Sequence, residues 1–198
     1  MSKGDSTREA ILQEGLALAS RIGFEPLSIG VLAKTVGMSK SGLYAHFLHK
    51  EDLQLAVLRK AEELFTATVV RPALAAPRGE PRLRALFELW LRWAEADCLP
   101  GGCVFISAAN EFDDRPGAVR TYLVESQERW LTGLARAAEI AIEQGDFRSG
   151  LDARQFAHDF YAVFLAYNHF RRLMHDPDAE RRARVAFEAL LVAAQSTT

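Results

Sequence analysis

Apolar residues return at every third or fourth position along almost the whole chain, and no stretch of useful length alternates apolar with polar. A period near 3.6 belongs to helices that bury one stripe, so the chain must solve its packing helix on helix. The fold class is all-α. In the first segment Ile11, Gly15, Leu18 and Ile22 lie on one stripe, with Leu12, Leu16 and Ala19 beside it. Ser6 and Glu9 are spaced as a capping box at its start, and Gly23 stands where a C-terminal cap belongs.

Turn and cap residues place the remaining helices. Ser28 is a good N-cap for a short helix over about 29–35 that ends near Gly37, and Met38-Ser39 opens another through about Phe47. A longer helix runs from about Lys50 into the sixties and stops before Arg71-Pro72. Residues 72–81, with Pro72, Pro77, Gly79 and Pro81, read as a linker. Further helices are expected at about 82–97, 102–111, 116–144, 153–175 and 178–195, the last started by an Asp176 cap and Pro177.

The composition bounds the rest. The chain has 198 residues, 49% of them hydrophobic and 25% charged, enough to bury a core and too apolar for a disordered chain. No run approaches the roughly 18 apolar residues of a membrane span, so no membrane partner is expected. The polar N-terminus, Met1-Ser2-Lys3-Gly4-Asp5-Ser6-Thr7-Arg8-Glu9, is not a signal peptide, and Cys98 and Cys103 make no disulfide framework. The expected location is cytoplasmic.

Residues 27–47 carry the functional signal. Two short helices flank Gly37, which supplies the positive φ of a tight inter-helix turn. Val31, Leu32 and Val36 are positioned to pack against Met38, Leu43 and Phe47. The second helix offers Ser39, Lys40, Ser41, Tyr44 and His46, short or planar side chains with hydrogen-bonding heads. Residues 26–50 hold three Lys and no Asp or Glu. The net charge of −2 hides this split: residues 1–50 carry six Lys/Arg against four Asp/Glu, residues 51–198 carry 18 against 22. Such a hairpin is either an ordinary bundle element or a helix-turn-helix whose second helix enters the major groove of double-stranded DNA.

Over residues 5–65 the chain resembles the TetR family of bacterial transcriptional regulators. The resemblance rests on the amphipathic first helix with Gly23-Phe24, then Leu27-Ser28-Ile29, then Leu32-Ala33-Lys34-Thr35-Val36-Gly37-Met38-Ser39-Lys40. Leu43-Tyr44-Ala45-His46-Phe47 and Lys50-Glu51-Asp52-Leu53 complete the pattern. It implies an N-terminal three-helix DNA-binding domain over residues 1–50, or about 5–65 with the start of the connecting helix. A larger helical bundle over 51–198 would bind an effector and dimerise. It further implies that Ser28 binds backbone phosphate, that Ser39, Lys40 and Ser41 reach base edges, and that Tyr44 and Lys50 clamp phosphates. His46 suits either role, and His49 would add a titratable phosphate contact. Ala45 offers at most a thymine-methyl contact.

The body is rich in rings: ten of twelve Phe and all three Trp follow residue 60. Phe156, Phe160, Val163, Phe164, Tyr167 and Phe170 share a helix face, and core is their ordinary role. Trp90, Trp93, Phe105, Phe112, Tyr122 and Trp130 are the candidates for lining an effector cavity, because three successive helices contribute them. Regulators of the resembled type carry such a site, so a small apolar or aromatic effector is expected. Ala157, Tyr161, Leu165, Ala186, Leu190 and Ala193 form the second apolar set of the last two helices. The resemblance makes this pair a four-helix homodimer interface that presents two recognition helices to a palindromic operator.

The arginines near the end, Arg171-Arg172 and Arg181-Arg182-Arg184, sit among Asp176, Asp178, Glu180 and Glu188 and read as a salt-bridged face. Glu111, Asp113 and Asp114 read chiefly as caps for the helix after Arg115-Pro116. Cys98 and Cys103 are weak as metal ligands, and a helix start at Cys103 is compatible with a redox thiol as well as with an inert one. His158, His169 and His175 have no catalytic arrangement, so neither enzyme activity, metal nor cofactor is expected. The function indicated is a DNA-binding regulator, most often a repressor in the resembled family. The alternatives are a regulator that answers to a partner or to thiol oxidation, and an all-α small-molecule-binding protein without DNA function.

Overall fold

The computed structural model describes residues 3–195, so Met1 and Ser2 of the polar N-terminus lie outside the described residues. Its helices are α1 (Lys3–Ile22), α2 (Ile29–Thr35), α3 (Lys40–Tyr44) and α4 (Lys50–Phe65), then α5 (Arg71–Leu74), α6 (Glu80–Ala94) and α7 (Val104–Phe112), and finally α8 (Ala118–Glu143), α9 (Ala153–Arg172) and α10 (Ala179–Ala194). The one extended pairing among the described residues is an isolated bridge, Phe147 with Gln195. The all-α expectation is met.

Packing groups the chain into two compact bodies: residues up to Phe65 with Glu95–Glu125, and Thr66–Ala94 with Ser126 onward. In the first body α1 lies on α4, burying Leu16, Ala19, Leu53, Val57 and Ala61. Lys60 is buried to 6% exposure between these helices, held by Glu9 at 2.5 Å and Glu63 at 3.2 Å. Ile22, placed on the apolar stripe by periodicity, is exposed, because the helix ends there and the stripe has already turned outward.

Several boundaries differ from the sequence reading, each for a local reason. Helix α1 starts at Lys3, so Ser6 and Glu9 lie inside it and form no capping box; Glu9 instead reaches Lys60. Arg71-Pro72 does not end the helical path. A π-helical turn, Thr66–Val70, follows α4, and Pro72 falls in the first turn of α5, where its missing N–H costs no helical hydrogen bond. Helix α9 stops at Arg172, and His175 adopts a left-handed φ of 50° in the turn. Asp176 accepts the N–H of Asp178 at 2.9 Å in that turn, and α10 begins only at Ala179.

The second body is an aromatic stack. Trp90 lies parallel to Phe164 at 3.8 Å between centroids and edge-on to Trp130 at 5.0 Å, and Phe87 stacks on Phe187 at 4.0 Å. Ion pairs tie α6 to α10 at the rim: Arg84 joins Glu80 and Glu188, and Arg184 joins Glu88 and Glu180. This bears out the salt-bridged reading of the C-terminal arginines for Arg181, Arg182 and Arg184, whose partners are Asp176, Asp178, Glu180 and Glu88.

Candidate nucleic-acid interface

Serine caps start both α2 and α3. Ser28 has extended backbone, φ −134° and ψ 161°, and its Oγ accepts the N–H of Val31 at 3.3 Å. Gly37 turns the chain with φ 66°. Ser39 repeats the device, its Oγ accepting the N–H of Gly42 at 3.1 Å. Phe24, Leu27, Leu32, Leu43 and Phe47 form the small core beneath, and the Arg8 guanidinium of α1 lies over the Phe47 ring at 5.4 Å. Val31, expected in that core, faces outward, and Val36 and Met38 are half-buried.

Of the candidate DNA contacts, Ser39, Lys40, Ser41, Tyr44 and His49 are exposed and Ser28, His46 and Lys50 are half-buried, each with its own constraint. Tyr44 of α3 is exposed, at 55%. Ser41 Oγ lies 3.0 Å from Ser39 Oγ, so both hydroxyls have a partner already. The Lys40 side chain lies along Gly30 of α2: a Cβ there would come within 3.2 Å of its Cε. His46 is half-buried beside Phe47. His49 has a local role the sequence did not show. Its Nδ1 accepts the N–H of Asp52 at 3.1 Å, while Asp52 accepts the N–H of Leu48 at 2.9 Å, a reciprocal cap on α4. The ring therefore has Nε2 left to donate outward.

Lys50 is joined to Glu25 at 3.0 Å, and the other oxygen of Glu25 meets Arg115 at 2.9 Å. These two cations hold the Glu25 carboxyl below the usual glutamate range, the hydrogen bond to Lys50 being the largest cause. The main chain here is held too. Glu111 of α7 accepts the N–H groups of Phe24 at 3.1 Å and Glu25 at 2.7 Å, and buried Gln54 donates to the Phe24 carbonyl at 2.6 Å. Gly23, with φ 84°, has no Cβ to obstruct the Glu111 carboxylate. The acidic cluster is thus not chiefly a cap for the next helix: Glu111 serves the loop before α2, and the Ala118 N–H of α8 is taken by Glu51 at 3.2 Å. Glu111, Gln54 and Glu51 carry no local signal, because each closes a contact far away in sequence.

The effector candidates divide between the bodies. Trp90, Trp93 and Trp130 belong to the second, where Trp90 and Trp130 pack with Phe160, Tyr161 and Phe164. Phe105, Phe112 and Tyr122 belong to the first, Phe105 edge-on to Phe65 and Tyr122 hydrogen-bonded to Glu62. An open groove of about 580 Å³ runs between α8 and α9, lined by Leu131, Thr132, Arg136, Arg154, Ala157 and His158 among others, and none of the six candidate rings lines it. The Cys98 thiol is pushed up by burial and Cys103 is buried, an environment opposite to that of a reactive thiolate.

Of the expected interface residues, Leu165, Ala186 and Ala193 are exposed, Tyr161 and Leu190 half-buried, and Ala157 is 2% exposed inside its own chain. The outward ridge also contains Ala162 and Ala166 of α9 and Val185, Ala189 and Val192 of α10, with Val185 at 60% and Val192 at 67% exposure. Their spacing, opposite the buried Ala183, Phe187 and Leu191, was a signal available in the sequence.

Comparison with known proteins agrees with this architecture. Residues 11–57 match the family model for bacterial regulatory proteins of the tetR family, and residues 79–187 match the tetracyclin repressor-like C-terminal domain. The HTH-type transcriptional regulator TcmR of Streptomyces glaucescens is 28% identical over 191 residues, covering 93% of this chain and 81% of that protein. A TetR-family regulator from Cytophaga hutchinsonii has the same fold, with a TM-score of 0.88 at 20% identity over 100% of this chain and 99% of that one. AibR, solved with isovaleryl coenzyme A and operator DNA, gives a TM-score of 0.68 at 25% identity over 81% and 85% of the two chains. The chain belongs to the TetR family, and it is a DNA-binding transcriptional regulator.

Proposed function

We propose that the protein is a homodimeric repressor that reads a palindromic operator through α3 and is released or modulated by a small apolar or aromatic effector. The observation that carries the DNA reading lies in residues 26–50: Lys40, Ser41 and Tyr44 are exposed on the capped helix α3 and half-buried Lys50 starts α4, in a stretch without one carboxylate. Lys40 and Ser41 are assigned to base edges, with Ser39 chiefly the cap that starts α3. Ser28, Tyr44, Lys50 and the Nε2 side of His49 are assigned to phosphates, and His46 to either. Residues 1–50 are assigned to DNA and 51–198 to effector binding and dimerisation. The reading requires no catalytic activity, and it places the protein in the cytoplasm with its DNA; among the described residues no helix is long and apolar enough to cross a membrane.

For the effector, the rings of Trp90 and Trp130 are the assigned contacts in the second body, with Trp93 beside them. The solved complex of AibR with an acyl thioester and operator DNA supports a regulator that answers to a small molecule. The dimer is assigned to Ala162, Leu165, Ala166, Val185, Ala186, Ala189, Val192 and Ala193, the apolar ridge of α9 and α10. Selection of duplexes from a random pool tests the whole reading. Enrichment of a palindrome bound in a strongly salt-dependent way is expected; no enrichment, or binding indifferent to salt, contradicts it. Quenching of tryptophan fluorescence across a panel of apolar and aromatic compounds tests the effector assignment.

A further inference from the structure

We propose that Glu25 is an internal stand-in for a DNA phosphate: its carboxylate holds the Lys50 ammonium in the DNA-free chain, and Arg115 takes over that carboxylate when Lys50 moves to the backbone. This rests on the reading of Lys50 as a phosphate contact. The geometry has three parts. Lys50 Nζ lies 3.0 Å from one oxygen of Glu25, and Arg115 Nη1 lies 2.9 Å from the other, so one carboxylate is shared by two cations. Glu25 does not sit on a loose loop: Glu111 grips its N–H and that of Phe24, and Gln54 grips the Phe24 carbonyl. Glu25 itself is the one acidic residue immediately before the acid-free stretch 26–50, the position from which a carboxylate reaches the start of α4.

The competition follows from charge. A phosphate oxygen and the Glu25 oxygen ask for the same ammonium, so every DNA complex made through Lys50 first breaks the Glu25 pair. Arg115 makes that loss smaller, because it leaves the carboxylate neutralised. Glu25 is thus a positioning residue that lowers DNA affinity, and Arg115 is one that restores part of it. Pairs this exposed are weak singly, yet a dimer breaks two of them at each operator.

The test is a mutant cycle on a duplex selected by the wild-type chain. Glu25→Gln is expected to bind about two- to tenfold more tightly, and Arg115→Gln about two- to fivefold more weakly. In the Glu25→Gln background the Arg115→Gln loss disappears, and in a Lys50→Gln background the Glu25→Gln gain disappears. A Glu25→Gln gain that survives Lys50→Gln overturns the proposal, because it would be simple relief of repulsion from DNA. No gain in Glu25→Gln, with Lys50→Gln still weakening binding, overturns the proposal while leaving the DNA assignment of Lys50 standing. Lys50→Gln without effect, or no duplex bound at all, removes both. Melting temperatures of each variant separate these effects from loss of fold.

Discussion

Gln54 Nε2 donates to the carbonyl oxygen of Phe24 at 2.6 Å, and both residues are buried. The bond joins α4 to the loop that leads into the first motif helix. Gln54→Leu keeps the volume and leaves the carbonyl without this donor, a loss of about 1–3 kcal/mol. The expected result is a melting temperature lower by about 3–10 °C in a chain of this size. A change under one degree would show that the loop does not depend on this bond.

Lys60 is a buried cation of the first body: burial pushes its pKa down, and pairing with Glu9 and Glu63 outweighs this, leaving it raised and the ammonium charged. Removing one partner of such a pair costs more than replacing the cation by an apolar chain of similar length. Glu9→Ala should therefore lose about 1–2 kcal/mol, reduced from the fully buried case because Glu9 is partly solvated. Lys60→Met should lose less than about 1 kcal/mol. Urea unfolding of the two variants checks the order, and a larger loss for Lys60→Met refutes it.

Acid should act through Glu25 and Glu188, whose carboxyls are lowered by Lys50 and by Arg84 respectively. A lowered folded value stabilises the fold above the ordinary glutamate midpoint, about pH 4.3, and the contribution is lost as pH falls through the lower folded value. Stability from these groups should be flat between about pH 7 and 5 and decline below about pH 4.3. The double variant Glu25→Gln, Glu188→Gln should show a shallower decline in midpoint of urea unfolding between pH 5 and 3.5. An unchanged slope counts against the pairing.

The outward ridge of α9 and α10 makes dimerisation sensitive to charge. Val185→Asp together with Val192→Asp places four carboxylates in a two-fold interface, which should give monomers by sedimentation at micromolar concentration. Binding to a selected palindrome should fall about tenfold or more, while helix content stays the same. Persistence of the dimer would move the interface to another face.

How far the fold was legible depended on the range of the signal. Ser28, Gly37 and Ser39 act within a turn of themselves, so the helix-turn-helix could be read residue by residue, and α2 falls at 29–35 as expected. Pro72 misled because it falls in the first turn of α5, where its missing N–H interrupts no helical hydrogen bond. Periodicity assigned Ile22 and Val31 to the core but could not see where each helix runs off its neighbour. Glu111, Glu51 and Gln54 look like ordinary helix surface in the sequence. Their partners lie 87, 67 and 30 positions away, and only the packed chain brings them together.

The bare backbone of Gly30 has a consequence for any attempt to reprogram this reader. Lys40 lies along that glycine, where even a methyl group would crowd its Cε at 3.2 Å. On the proposed assignment of Lys40 to a base edge, α3 is not a detachable cassette: transplanted alone onto a relative with a larger residue at that place, it would have to shift its lysine by a few tenths of an ångström. On that assignment the two helices act together, one by the side chains it shows and the other by a side chain it lacks.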